Sequence, residues 1–278
     1  MDGSAGMTAP PGRAAGQDGN VHHRVLPLDE SRMIRTGRQR KASGRVTREL
    51  KVFSTIAVQS ALETLVPLFE ADNGCRLGIT WNTAPVLVKR LQGGETADVL
   101  ILNRAGMDTM IRDKRVRAGS EVTLASSATA LAVKAGAPLP DISTPEALKR
   151  TLLAARAISY SDPAAGGASG IYFAKLLERL GIADEVNAKT KYPPPAGLCG
   201  DLLVSGDADL AVQQKPELLQ VPGIEVLGLL PGELHLVTVF VACVEASSAE
   251  PATGQALIDF LRSPASAAVF RAKGLDPA

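Results

Sequence analysis

The chain has 278 residues, 45% of them apolar and 4% aromatic, with a formal net charge of +1. That length supports one large or two ordinary domains with real cores built from Ala, Val, Leu and Ile, and so few aromatics exclude base-stacking platforms for nucleic acid. Residues 1–48 hold nine Lys/Arg and four Asp/Glu while the remaining 230 hold 21 and 25; the mildly acidic remainder argues against a nucleic-acid binder and requires any anion site to be made locally.

The front of the chain, "MDGSAGMTAPPGRAAGQDGN" followed by the basic "SRMIRTGRQRKASGRVTR", has no periodic apolar positions and reads as a disordered leader over residues 1–48. A basic arm for nucleic acid is the sharper alternative for this stretch. The apolar run behind it is interrupted by Lys51, Gln59 and Glu63 and has strand-then-helix periodicity, so it belongs to the fold and not to a signal peptide. A stretch of ~20 apolar residues occurs nowhere, and no membrane insertion is expected.

From Leu50 onward the elements alternate. "LKVFS" reads as a strand, and Val58, Leu62, Leu65, Val66 and Phe69 mark one face of the following helix. "RLGITW" is the next strand and "TAPVLVKRLQGG" the next helix, with Thr83 as its N-cap and Pro85 in its first turn. "ADVLIL" and a helix from Ala105 to Arg115 complete a β-α march that predicts a parallel sheet with helices on its faces. "TLASSATALAVKAG" is a longer β run with no helix after it. A second march opens at "STPEALKRTLL" and takes in "ARAISYSD", a glycine loop, a helix through Leu180, the link "KYPPPAG", the helix "LCGDLLVSG" and the strand "ADLAVQQ". A second long β run, "LHLVTVFVACV", and closing helices in "TGQALIDFLRSPASAAVFRAKG" end the chain. The chain is therefore expected to cross into a second domain along one long β run and to return along the other. The predicted division is 49–128 with 238–278 as one lobe and 129–237 as the other.

In open α/β sheets ligands sit beyond the carboxyl ends of strands, where helix N-termini offer unpaired N–H donors. Small hydroxyl or amide residues fall at four such points. They are Ser54 and Thr55, Asn82 and Thr83, Ala168 with Ser169 and Gly170, and Gln213 and Gln214. Each hydroxyl also suits a plain helix cap; their common placement at one end of the sheets is what points to a site. "DPAAGGASG" lacks both the dinucleotide glycine spacing and a P-loop Lys, so Gly166 and Gly167 either admit close backbone approach or make an ordinary turn. Cys75, Cys199 and Cys243 have no ligand spacing and read as apolar filler; no metal site and no cofactor are expected. Nucleophilic catalysis is poorly supported: G-x-S-x-G is absent, and His22 and His23 lie in the leader. Asp162, Lys215 and His235 are the weak candidates for a proton-transfer group.

Several blocks, taken in order, carry a resemblance: "LKVFSTIAVQSALETLVPLFEADNGCRLGITWNTAPVLVKRLQGGETADVLI", "ISTPEALKRTLL", "SDPAAGGASGIYFAKLLERLGI", "GDADLAVQQKPELL" and "IDFLRSPASAAVFRAKGL". Together, over about residues 50–275, they resemble the type II periplasmic solute-binding proteins, nearest the molybdate-binding branch. The resemblance implies two α/β lobes, each a mostly parallel sheet flanked by helices, joined by two β crossovers and closing on a small anion. It implies that Ser54 and Thr55, Asn82 and Thr83, Ser169 and Gly170, and Gln213 and Gln214 form the four anion loops. Molybdate binders usually read Ala-Ala-Ser-Leu and Ser-Ser at the first two loops, where this chain has "STIAVQSAL" and "WNTAPVL". The glycine-loop and "QQ" blocks look instead like a side branch that resembles aconitate isomerases. The implied function is capture of a small organic carboxylate for an ABC permease by a monomer. The alternatives are aconitate isomerisation by an allylic proton shift and, third, molybdate or tungstate binding. The resemblance implies a periplasmic location; with no export signal visible, the chain as it starts would be cytoplasmic.

Overall fold

A computed structural model describes residues 48–278. The leader reading falls outside the described residues except at Arg48, which belongs to the first strand and pairs with Glu250 at 3.1 Å. Strand β1 (Arg48–Thr55) runs through a 3-10 turn, Ile56–Val58, into helix α1 (Gln59–Asn73). The helix buries Ala61, Leu62, Leu65 and Phe69, the face its period predicts, and ends on Gly74 in the left-handed conformation that favours glycine. Then follow β2 (Cys75–Asn82), α2 (Ala84–Gln92), β3 (Val99–Asn103), α3 (Arg104–Arg112) and the long β4 (Val122–Lys134).

The second march comprises α4 (Pro145–Ala154), β5 (Ile158–Tyr160), α5 (Ala168–Arg179), α6 (Ala183–Asn187), β6 (Thr190–Lys191), α7 (Cys199–Ser205), β7 (Leu210–Gln214), α8 (Lys215–Leu218) and β8 (Ile224–Leu229). A 3-10 turn, Gly232–Leu234, leads into β9 (Val237–Val244), and α9 (Pro251–Leu261), α10 (Pro264–Ala272) and β10 (Asp276–Pro277) close the chain. Sequence periodicity did not foresee α6, β6, α8, β8 and β10. The elements α6, β6, α8 and β10 are too short to show a period, and β8 follows Pro222 and Gly223 in a stretch without clean alternation.

The strands form a path in the order β2-β1-β3-β9-β4-β7-β5-β6, with β8 and β10 also on β4. The trios β2-β1-β3 and β7-β5-β6 are parallel, as strands joined through helices are, and antiparallel strands are added to each at β4 and β9. β4 pairs with β9 over its first half and with β7 and β8 over its second, so the two sheets share a strand and the ladder is unbroken between them. Separate cores pack on either side. One sheet is sandwiched between Leu50, Val52, Leu62, Phe69 and Phe270 on one face and Phe53, Leu87, Leu100 and Met107 on the other. The other sheet packs Leu131, Leu148, Tyr160 and Phe173 on one face and Ala130, Cys199 and Leu203 on the other. Among the described residues, no helix is long and apolar enough to cross a membrane.

Candidate functional site

Parallel pairing aligns the strand ends. Register places Thr55 opposite Asn82 across β1 and β2, and Asn103 ends β3 beside them. From the other side, Ser161 follows β5, and Gln213 and Gln214 end β7. Thr55, Asn82, Asn103 and Gln214 are the last residues of their strands, Gln213 precedes Gln214, and all of these with Ser161 line a cavity of about 110 Å3. Drug-sized ligands use pockets of ~300–1000 Å3; this one suits a small ion or acid.

Three helix N-termini meet the cavity. The 3-10 turn before α1 contributes Thr55, Ile56 and Ala57, α2 contributes Thr83 and Ala84, and α5 contributes Gly167, Ala168 and Ser169. First-turn N–H groups have no intrahelical acceptor, so each end favours negative charge. Thr55 is 6% exposed and its Oγ1 has no hydrogen-bond partner among the described residues. A buried hydroxyl left unpaired beside a cavity marks a place where a ligand would complete the bonding.

The glycine loop closes over this space from the opposite lobe. Thr83 does not cap α2 with its side chain; Oγ1 instead donates to Ala165 O at 3.0 Å across the cleft. Gly166 adopts φ +80°, and a Cβ there would lie 2.9 Å from Pro85 Cγ. Asp162 Oδ1 accepts from Ala164 N at 2.8 Å and shapes the turn that leads to it. Pro193–Gly197 form another part of the wall.

The residues singled out from the sequence are placed unequally. Thr55, Asn82, Thr83, Ala168, Ser169, Gln213, Gln214 and Asp162 line the cavity. Ser54 does not: it is fully buried, and its Oγ donates to Thr55 O at 3.3 Å. Successive strand residues face opposite ways, so only one of this pair can reach the ligand side. Gly170 is not in the wall either, because the first turn of α5 packs directly on Ser161 and a Cβ would collide with the Ser161 carbonyl. Lys215 lies beside Gly274 and His235 is exposed past the 3-10 turn; neither lines the cavity.

Both glutamine amides are engaged by protein groups. Gln213 Oε1 accepts from Cys199 N at 2.8 Å and its Nε2 donates to Gly197 O at 3.3 Å, which holds the proline loop and the start of α7. Gln214 Oε1 accepts from Ser127 Oγ at 2.9 Å and its Nε2 donates to Thr238 Oγ1 at 2.7 Å, tying β4 to β9. Sequence reasoning missed Asn103, Ser161, Thr238, Phe240 and Glu217. Asn103 was findable as the polar end of "ADVLIL"; Glu217 sits in a one-turn helix with no readable period. Its Oε2 accepts from Gln214 N at 3.2 Å, and burial pushes its carboxyl up to about 7. The wall contains no Lys, Arg or His among the described residues, and those residues hold no cluster suited to a metal ion. All three cysteines are buried free thiols.

Two α/β lobes that share crossover strands and aim helix N-termini into one cleft define the type II periplasmic binding protein fold. The solved structure of the periplasmic molybdate-binding protein of Azotobacter vinelandii shares it, with a TM-score of 0.67, 20% identity, and coverage of 81% of this chain and 98% of that one. The chain belongs to the bacterial extracellular solute-binding protein family, whose profile matches residues 50–276. Among characterised relatives, an aconitate isomerase of Pseudomonas sp is 32% identical over 234 residues, which is 82% of this chain and 87% of that protein. The molybdate-binding protein ModA of Escherichia coli (strain K12) is 22% identical over 229 residues, 81% of this chain and 88% of that protein.

Proposed function

We propose that the cavity binds a small organic polycarboxylate, and that the chain serves as the solute-binding component of an ABC-type importer. The observation that carries this reading is the buried, unpaired Thr55 hydroxyl beside three helix N-termini, an arrangement that offers hydrogen bonds to an oxyanion without a cationic side chain. The higher identity to the aconitate isomerase than to ModA favours carboxylate over molybdate. A ligand that binds only the native state stabilises it by ~2.7 kcal/mol at a hundredfold excess over Kd. In a thermal-shift panel, citrate, cis-aconitate and trans-aconitate are expected to raise Tm. Stabilisation by molybdate and tungstate but by none of the carboxylates would overturn the choice.

A second reading is favoured by the same relative: the chain interconverts trans- and cis-aconitate by moving an allylic proton. That chemistry needs an acceptor within reach of an acidic C–H and donors to spread the enolate charge. Asp162 is the one sequence candidate in the cavity wall; its Oδ1 is held by the turn, and its Oδ2 has no hydrogen-bond partner among the described residues. Incubating the protein with trans-aconitate and following cis-aconitate separates the readings. Turnover lost in Asp162→Asn with affinity retained supports the isomerase, and binding without any interconversion by the wild type defeats it.

A further inference from the structure

We propose that Glu217 meets the ligand as a neutral carboxyl that donates its proton in a hydrogen bond, so that anion capture in this cavity takes up a proton. The inference rests on the anion reading above. The cavity wall holds two acidic side chains, Asp162 and Glu217, and no cationic side chain among the described residues. An ionised carboxylate facing a bound anion in a small, partly dry space repels it. The two acids are not equivalent in geometry. Asp162 Oδ1 accepts from Ala164 N in its own turn. Glu217 Oε2 accepts from Gln214 N, while Oε1 receives no donor from any described residue. A protonated carboxyl has one O–H to donate, and with Oε2 already occupied as an acceptor that proton is available to the cavity.

The surroundings of Glu217 favour its neutral form. Burial alone raises its pKa, to about 7, against a lowering effect from the Gln214 N–H. The elements packed against α8 are β4, β7, β8 and the 56–58 turn. The ionisable side chains they carry are Lys134, whose Nζ donates to Val204 O, and Glu225, which is exposed. The nearby Cys199 thiol is itself pushed up to about 12 by burial and stays neutral. Lys215, on the same short helix, does not line the cavity. No described side chain therefore supplies the positive charge that would hold Glu217 ionised; the Gln214 N–H at the start of α8 favours the ionised form but is outweighed by burial, and an arriving anion raises the proton affinity further.

The test is calorimetry on the full chain with trans-aconitate, with molybdate in a parallel series, between about pH 7 and pH 9, where a one-proton linkage changes affinity by about tenfold per pH unit. Affinity is expected to fall towards that slope as pH rises, and titration in buffers of different ionisation enthalpy should show about one proton taken up per ligand. Glu217→Gln keeps a donor at the same place and cannot ionise, so its affinity should be flat with pH and exceed the wild type's at pH 9. Wild-type binding that is independent of pH overturns the inference alone. Affinity that rises with pH and vanishes in Glu217→Gln, with Tm retained, also overturns it, since binding would then require the ionised carboxylate. Absence of binding by every carboxylate and oxyanion, at pH 6 as at pH 9, removes the anion reading and this inference with it.

Discussion

Thr55 and Ser54 are neighbours with similar side chains, and strand alternation gives them different work. Thr55 Oγ1 is buried at the cavity without a partner, whereas Ser54 Oγ is turned towards the backbone. A hydrogen bond to a charged group contributes ~1.5–3 kcal/mol, and an unsatisfied buried hydroxyl costs ~1–3 kcal/mol. Thr55→Val keeps the shape and removes the hydroxyl. It should weaken ligand binding by ~1.5–3 kcal/mol while leaving Tm unchanged or higher. Ser54→Ala should leave affinity at the wild-type value. Calorimetric titration and thermal melts on the two variants check both statements. The sequence marked both hydroxyls because it showed where the strand ends; which of them faces the ligand depends on the pleat, and the pleat is set by Leu50 and Val52 packing on one core and Phe53 on the other.

At the scale of elements, the first turn of α2 and the loop before α5 act as one unit. Thr83 was expected to cap its own helix, a local role legible from spacing, yet its hydroxyl reaches Ala165 on the other lobe. The glycine loop answers to the same contact. Gly166 needs both its positive φ and its missing Cβ, the second because Pro85 fills the space. Gly206, at the end of α7, has a similar φ of +82° with nothing within 4 Å of a Cβ. Gly206→Ala should cost ~1–2 kcal/mol of folding stability, the usual cost of the left-handed region for an L side chain, and Gly166→Ala should cost more, because its Cβ also meets Pro85. Gly166→Ala alone should also weaken ligand binding, by holding the loop off Pro85. Equal affinities in the two variants would show that the 165–166 loop does not close the site.

For the whole molecule, Gln214 joins the strands that cross between the lobes, since its amide bridges Ser127 on β4 and Thr238 on β9 next to the cavity. Three residues further along the chain, and bonded to the Gln214 N–H, lies Glu217. Its pKa moves from an ordinary 4.5 to about 7 on folding, mainly by burial. The native state thus binds a proton that the unfolded chain has released, and stability falls as pH rises. The loss begins near the unfolded value of 4.5 and is complete above about 7. Each pKa unit corresponds to ~1.4 kcal/mol. Glu217→Gln should therefore melt at a higher temperature than the wild type at pH 8 and at the same temperature near pH 4. Thermal melts across that range read the difference directly, and a variant less stable at pH 8 would show that the ionised carboxyl is supported by the fold.

What the sequence determined by itself was the order of elements and the end of the sheets at which a ligand would sit. Apolar period separates "LKVFS" from the Leu62, Leu65 and Phe69 face, and a polar residue after each apolar run marks a strand end. These are local properties of the backbone. Tertiary structure decided how the strand ends meet: β4 continues from one sheet into the other, Thr83 turns from cap to bridge, and both glutamine amides are taken up by the chain itself. Glu217 belongs to this second group. Its shifted proton affinity comes from burial among residues distant in the chain, and burial is a consequence of packing that no spacing of residues encodes.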